Sequence, residues 1–338
     1  MSRGFDEFEI DDFRDSQWES DSSRHSRESA RGRGGGSYTD ASVRVKLEKV
    51  REAEFESDLP AAEWPDRAEA SRLSRSREAQ QAAILAQRDR AEVHDRDRTY
   101  SLRPSEIHTL TEVARFRVVA VEDLATRAYL GDRSRMDSDL RNLVRQRLVE
   151  RRHTSALKKE SQQVLTLSKQ GTHLIRRHGF VPDDQAIYSG FVKSKETDHD
   201  AALYRLYHKA ADDIERKGGK VLRVQLDYEL KEKLYRKLGQ SQARGDGESR
   251  GMKEAFARQL HLPVIHGKVH FPDLRIEYTT QEMEIARVDL ELATPHYHAG
   301  HLAEKARAGF QIYARPGDTT GLRRVRDDRE IMTSILSL

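Results

Sequence analysis

Lys268–Tyr313 reads KVHFPDLRIEYTTQEMEIARVDLELATPHYHAGHLAEKARAGFQIY, and its pattern decides the fold class. One apolar segment carries Pro272-Asp273. A second carries Asp289 and Glu291 on one face and Val288, Leu290 and Leu292 on the other, the alternation of a strand. The spacing then predicts an amphipathic helix over Ala299–Tyr313, packed through Leu302, Ala306, Phe310 and Ile312 or Tyr313 and carrying Lys305. Two acids on neighbouring strands beside a lysine can hold a divalent cation and activate water against a phosphodiester. A strand with acids on one face and aliphatics on the other is equally how an ordinary half-exposed strand reads.

Working upstream, the pattern from His199 is α/β. His199–Lys217 reads as a helix with Ala202, Leu203, Leu206, Tyr207, Ala210 and Ile214 on one face, ended by Gly218-Gly219. Val221–Leu226 reads as a strand and Asp227–Leu238 as a Lys- and Glu-rich helix. Residues 239–251 read as a flexible loop, followed by a short helix and a turn at Pro263. Residues 181–198 read as a linker.

Further upstream, residues 101–180 have a different rhythm. Pro104 suits a first helical turn, and Ile107, Leu110, Val113 and Ala114 recur at helical spacing. A short helix carries Val121, Leu124 and Ala125. Gly131 and Asp132 make a turn. Ser134 can cap a third helix through Arg147, with Met136, Leu140, Leu143 and Val144 inward. Leu148–Glu150 and Val164–Leu167 read as a hairpin around a polar tip, and a last helix runs from Lys169 to His178. Three helices and a hairpin in this order are a winged helix, whose third helix enters the major groove while the wing touches the backbone. The DNA-facing residues expected on the third helix are Arg133, Arg135, Arg141, Asn142 and Arg145. Those expected on the wing are Arg152, Lys158 and Lys159. Residues 101–178 hold 16 Lys/Arg against 9 Asp/Glu, a surplus of +7 where a DNA reader needs it.

Residues 1–66 carry the opposite balance, 10 Lys/Arg against 17 Asp/Glu. With few aliphatics and a Gly32–Ser37 linker run, they read as a disordered tail. Phe5, Phe8, Ile10, Phe13 and Trp18 lie among its acids, a composition that suits docking on a protein partner as well as a solvated tail. Residues 67–100 read as a charged helix and linker, the helix spanning 67–97. A homodimer through that helix is one assembly the sequence allows. Apolar residues make up 36% of the chain and charged ones 35%, too polar for one globule of 338 residues. With no cysteine there are no disulfides and no thiolate zinc sites. No apolar run reaches membrane-spanning length, and the acidic N-terminus is not a secretory signal, so a cytoplasmic protein without a membrane partner is expected.

The α-β-α-β-β-α order, with an acid after Pro272 and acids in the next strand, resembles the restriction-endonuclease-like nuclease fold. Preceded by a winged helix, it resembles the replication-relaxation family, associated with replication and mobilisation of bacterial plasmids and other mobile elements. The residues carrying the resemblance are His199-Asp200, Pro272-Asp273, Asp289-x-Glu291 and Lys305 to Tyr313, within about residues 101–315. The resemblance implies three parts. These are a disordered N-terminal region, a winged-helix domain at 101–180 and a restriction-endonuclease-like α/β domain at 199–338. It also implies a function in replication, relaxation or mobilisation, with double-stranded DNA as the partner.

The nuclease pattern places a lysine two positions after the strand acid. Here that position is Ala293 or Glu291, and Lys305 on the following helix is the substitute. If the site is active, Asp273 and Glu291 ligate Mg²⁺ or Mn²⁺ with Asp289 in support, and Lys305 neutralises the phosphate or orients water. No fourth core strand is legible after Tyr313, and residues 322–338 read as a terminal helix. His296, His298 and His301 form a separate cluster that suits zinc or general-base chemistry, or simple capping at a loop-to-helix junction. The chain has no Walker loop, Rossmann fingerprint, nucleophile elbow or clustered-histidine relaxase pattern. Three function classes remain. They are a DNA-binding factor on a nuclease-like fold, a Mg²⁺-dependent endonuclease that nicks at the bound site, and a protein-interaction scaffold.

Overall fold

A computed structural model describes residues 78–338, apart from 155–161, 194–195, 244–249, 295–296, 298, 316, 321 and 324–334. The acidic tail, the first part of the charged helix, the wing tip with Lys158 and Lys159, and His296 and His298 lie outside the described residues.

Residues 78–86 form helix α1. The charged helix expected through residue 97 ends there, because β1 (Ala91–Asp95) and β2 (Arg98–Leu102) pair as an antiparallel hairpin. Tyr100 and Leu102 enter the core at a strand period, and Asp95 is held by His173 at 2.8 Å and Arg177 at 3.1 Å. Arg96, with φ 54°, turns the chain.

The next elements follow the expected order. They are α2 (Pro104–Ala114), β3 (Val119–Ala120), α3 (Val121–Ala128), α4 (Arg133–Arg145), β4 (Val149–His153), β5 (Gln163–Leu167) and α5 (Lys169–His178). The three strands form a sheet in the order β3-β5-β4. Leu110, Val113, Leu124, Met136, Leu140, Leu143, Leu165 and Leu174 fill the space between helices and sheet. Two details of α4 differ from expectation. Asp132 rather than Ser134 caps it, accepting a hydrogen bond from the Arg135 N–H at 2.9 Å. Val144, expected inward, is 40% exposed, because Met136, Leu140 and Leu143 already complete the buried stripe.

The segment read as a linker packs in part: Val181 and Ile187 are buried, and Gln185 bonds the Val224 carbonyl at 2.9 Å and its N–H at 3.1 Å. Then come α6 (Thr197–Arg216), β6 (Lys220–Leu226), α7 (Asp227–Ala243) and α8 (Arg250–Gln259). A two-stranded ladder, β7 (Val264–Ile265) with β8 (Lys268–Val269), precedes β9 (Leu274–Thr279) and β10 (Ile285–Ala293). The described chain closes with α9 (Ala299–Arg307), β11 (Gln311–Ala314) and β12 (Ile335–Ser337).

The large sheet has the order β12-β11-β10-β9-β6. Strands β6, β9 and β10 form an antiparallel meander, while β11 runs parallel to β10 and β12 parallel to β11. Two expectations are corrected here. The last amphipathic helix stops at Arg307, Gly309 (φ 77°) turns the chain, and Gln311–Ala314 becomes the fourth strand. Phe310 and Tyr313 continue the helical spacing of Leu302 and Ala306 by coincidence, which is why the strand was not legible. Ile335–Ser337 is likewise a strand, with Ile335 buried against Leu302 and Ile312. The sequence also read residues 239–251 as a loop, whereas α7 extends to Ala243 and α8 starts at Arg250.

The apolar face of the sheet (Val224, Leu226, Leu274, Ile276, Leu290, Leu292) packs on the predicted face of α6. Each fully buried aliphatic there contributes about 1.5–3 kcal/mol. Helix α6 also meets the preceding unit, where Phe116 contacts Tyr204 edge-on at 5.2 Å and Tyr207 at 5.4 Å. One core therefore runs through both halves, and the polar face of the sheet is left to carry the site.

Candidate functional site

Directly paired residues of antiparallel strands point to the same side, so the polar face is ordered in rows. One row is Arg223, Glu277 and Arg287, and the next is Gln225, Arg275 and Asp289. Beyond the Leu274–Leu290 pair come Asp273 and Glu291. The Leu292 N–H donates to Asp273 Oδ2 at 2.8 Å, which ties the carboxylate to β10. Asp227, the first residue of α7, donates its N–H to the Asp273 carbonyl at 3.2 Å.

Three of the expected residues thus come together. Lys305 on α9 reaches back to Glu291, with Nζ 2.8 Å from Oε1, and donates to the Phe271 carbonyl at 2.9 Å. The Tyr297 hydroxyl donates to the same Glu291 oxygen. Glu291 is 1% exposed, and its Oε2 has no hydrogen-bond partner among the described residues. Burial and the neighbouring Glu291 charge push the Asp273 carboxyl well above the usual carboxylate range. A buried carboxylate oxygen without a donor, beside a second carboxyl that resists ionising, fits a cation between them. Asp289 does not join this pair, because Arg275 engages both its oxygens at 2.6 and 2.8 Å. Arg275 also donates to the Leu260 and His261 carbonyls at 2.7 and 2.8 Å, closing the end of α8 onto the sheet. Among the described residues no three His, Asp or Glu side chains stand close enough together to hold a metal ion. The carboxylate set is therefore a pair.

Helix α6 brings His199 to the same end of the sheet, with Nε2 3.4 Å from Asp273 Oδ1. Burial lowers its pKa, and its Nδ1 has no hydrogen-bond partner among the described residues. A cleft of about 220 Å³ opens beside it, lined by Glu196, His199, Asp200, Leu203, Asp227, Tyr228 and Asp273. Arg117, from the turn after α2, enters this region. It pairs with Glu196 at 3.6 Å and Asp200 at 3.5 Å and lies over the Tyr228 ring at 3.9 Å. Burial raises the Asp200 pKa to about 7 against the pull of Arg117. Of these groups only His199-Asp200 and Asp273 stood out in the sequence. Tyr297, Asp227 and Arg117 did not. An aspartate at a strand-to-helix junction was the one available signal, at Asp227. His301 stacks on Tyr297 with ring centroids 4.5 Å apart.

On α4, Arg133 is exposed and pairs with Glu122, and Arg141 and Arg145 are exposed, Arg145 bonding Asn142 at 2.8 Å. Arg135 and Asn142 turn inward instead. Arg135 bonds Asp139 at 3.3 Å and the Gln87 carbonyl at 2.8 Å, while Asn142 bonds Glu106 at 2.9 Å. Arg152 on β4 is exposed and lies over the Phe191 ring at 4.3 Å.

Comparison with known protein-family models, curated proteins and solved structures finds no match for this chain. No helix among the described residues is long and apolar enough to cross a membrane.

Proposed function

We propose that this chain is a DNA-binding protein of a plasmid or other mobile element. It binds duplex DNA through a winged helix at 101–180 and acts in replication, relaxation or mobilisation with a restriction-endonuclease-like α/β domain. One observation carries the reading. A three-helix, three-strand unit with exposed Arg133, Arg141, Arg145 and Arg152 shares a core with a sheet whose end gathers Asp273, Glu291 and Lys305. The meander followed by a helix and a parallel fourth strand agrees with a nuclease-like core.

A second reading, nicking of the bound DNA, is favoured by the contact of Lys305 with Glu291 beside Asp273. Asp273 and Glu291 would hold Mg²⁺ or Mn²⁺, which would lower the pKa of a bound water and stabilise charge at phosphorus. The chain's own residues do the positioning. Lys305 and Tyr297 orient Glu291, the Leu292 N–H orients Asp273, and the neutral His199 ring is placed to accept a proton beside Asp273.

Supercoiled plasmid incubated with the protein and Mg²⁺, Mn²⁺ or EDTA tests both readings. Metal-dependent nicking that disappears in Asp273→Ala/Glu291→Ala is the outcome expected of the endonuclease. A gel shift without cleavage leaves the DNA-binding factor. Absence of any DNA binding sinks both.

A further inference from the structure

The turn after α2 lays three consecutive residues against α6. Phe116 is fully buried against Tyr204 and Tyr207, and Val118, also fully buried, shares a cluster with Ala201. Arg117 between them is thus fixed at its backbone, and its side chain runs to the start of α6. The N-cap residue there, Glu196, makes no side-chain capping hydrogen bond. Glu196 and Asp200, four residues apart, lie 3.6 and 3.5 Å from Arg117 Nη1. Neither Arg117 Nη1 nor Asp200 Oδ2 has a hydrogen-bond partner among the described residues, so charge holds this contact. On its flat side the guanidinium carbon lies 3.9 Å from the centroid of the Tyr228 ring, within cation–π range. Tyr228 is in the first turn of α7, next to Asp227, whose N–H bonds the Asp273 carbonyl. His199, between Glu196 and Asp200, has Nε2 3.4 Å from Asp273 Oδ1. One guanidinium therefore joins the two helix starts that flank Asp273, beside the cleft of about 220 Å³ that they line. Four carboxyl groups line that cleft, and like charges this close repel unless cations stand among them. Arg117 serves Glu196 and Asp200, and Lys231 serves Asp227 at 3.2 Å. Arg315, at the end of β11, donates to the Asp198 carbonyl at 3.0 Å and holds the same turn of α6.

We propose that Arg117 is a positioning residue: by bridging the first turns of α6 and α7 it sets His199 and Asp273 relative to each other. Because Arg117 belongs to the unit at 101–180, the candidate site depends on that unit for its geometry. This part rests on the nicking reading above. Ion pairs between partly exposed side chains contribute little to stability, so the consequence of removing Arg117 falls on geometry. A lysine can reproduce the charge beside Glu196 and Asp200 but not the planar face that lies on Tyr228.

The test compares the full chain with Arg117→Gln and Arg117→Lys. Supercoiled plasmid with Mg²⁺ and protein in excess gives the nicking rate, and a duplex gel shift in EDTA gives the affinity. Arg117→Gln should nick roughly 10- to 100-fold more slowly, the scale of a reacting group displaced by about 1 Å, with duplex affinity within about twofold of the parent. Arg117→Lys should fall between the two, and it carries the test if the glutamine variant does not fold. Amide hydrogen exchange without DNA should be faster in residues 197–203 and 227–231 of Arg117→Gln, while the rest of α6 and the sheet keep the parent's rate. Nicking and exchange equal to the parent in Arg117→Gln overturn the proposal. So does a loss of affinity as large as the loss of rate, which would make Arg117 a DNA contact. A lysine variant as fast as the parent overturns the bridge as well, because charge alone would then suffice. If the parent does not nick, the endonuclease reading fails instead and exchange alone decides. Faster exchange confined to the two first turns keeps Arg117 as the tie between them, and unchanged or uniformly faster exchange overturns it.

Discussion

At the scale of single residues, Asp200 is the most informative titrating group. It is buried beside Asp227 and Glu196, and burial raises its pKa to about 7 although Arg117 opposes the shift. The folded value lies above the ordinary 3.8, so the associated stability is complete below about pH 3.8 and is lost as pH rises through about 7. Asp200→Asn should therefore stabilise the protein at pH 8 relative to the parent, by roughly 1–3 kcal/mol, and have little effect near pH 4. Urea unfolding at the two pH values checks this, and equal stabilisation at both would refute it. The same scale explains why Asp289 and Glu291, two residues apart on one strand face, differ. Asp289 meets a fixed guanidinium opposite it in register, whereas Glu291 meets a lysine from another element and keeps one oxygen open.

Between elements, the tie of α2 to α6 is a buried polar contact. Glu112 accepts from the Tyr204 hydroxyl and from His208 Nε2, both at 3.1 Å. Burial alone would raise the Glu112 pKa. The hydrogen bond and charge of His208 outweigh it and hold the carboxyl well below its ordinary 4.5. A depressed carboxylate contributes stability above its unfolded pKa, so this contribution is present above about pH 4.5 and declines as pH falls below it. His208→Ala leaves the carboxylate buried beside fewer donors and should cost about 3–5 kcal/mol at pH 7. The cost should shrink in acid, where Glu112 approaches protonation in the variant. Chemical denaturation at pH 7 and pH 4 measures both. A cost below about 1 kcal/mol at pH 7 would mean that the Glu112 contact adds little to the apolar contacts of Phe116 and the ion pairs of Arg117 and Arg127 that also join α6 to the preceding unit.

For the whole molecule, the surplus charge of residues 101–178 resolves into an outer and an inner set. Arg141 and Arg145 face solvent, whereas Arg135 ties α4 to the Gln87 carbonyl and the neutral Asn142 ties it to Glu106. Arg141→Ala/Arg145→Ala should weaken duplex binding and reduce the log–log salt slope by about 2, with the melting temperature near that of the parent. Asn142→Ala should do the opposite, lowering stability by about 1–3 kcal/mol through loss of its hydrogen bonds to Glu106 and the Ser101 carbonyl while the salt slope stays near that of the parent. If the salt slope is unchanged in the arginine pair, the unit at 101–180 is not the DNA surface.

Local periodicity was enough for most elements. The three helices and hairpin of 101–180, the apolar face of α6, strands β6, β9 and β10, and the acid-bearing side of β10 all follow from spacing within a few residues. The same information placed Asp273 and Glu291 on adjoining strands. It did not reach the contacts set by chain folding. Whether Lys305 meets Glu291, whether Asp289 is free, and which face of α4 holds Arg135 and Asn142 depend on partners 14 to 48 residues away in sequence. Strand β11 was hidden for a related reason. Four residues cannot establish a period against a preceding helix, and it is pairing with β10 and β12 that makes them a strand. The sequence by itself determined the elements and the charge each one carries, because those depend on near neighbours along the chain. Only the tertiary structure decided which charges are spent on one another and which oxygen, Glu291 Oε2, is left without a hydrogen-bond partner among the described residues, because pairing is a property of distance in space.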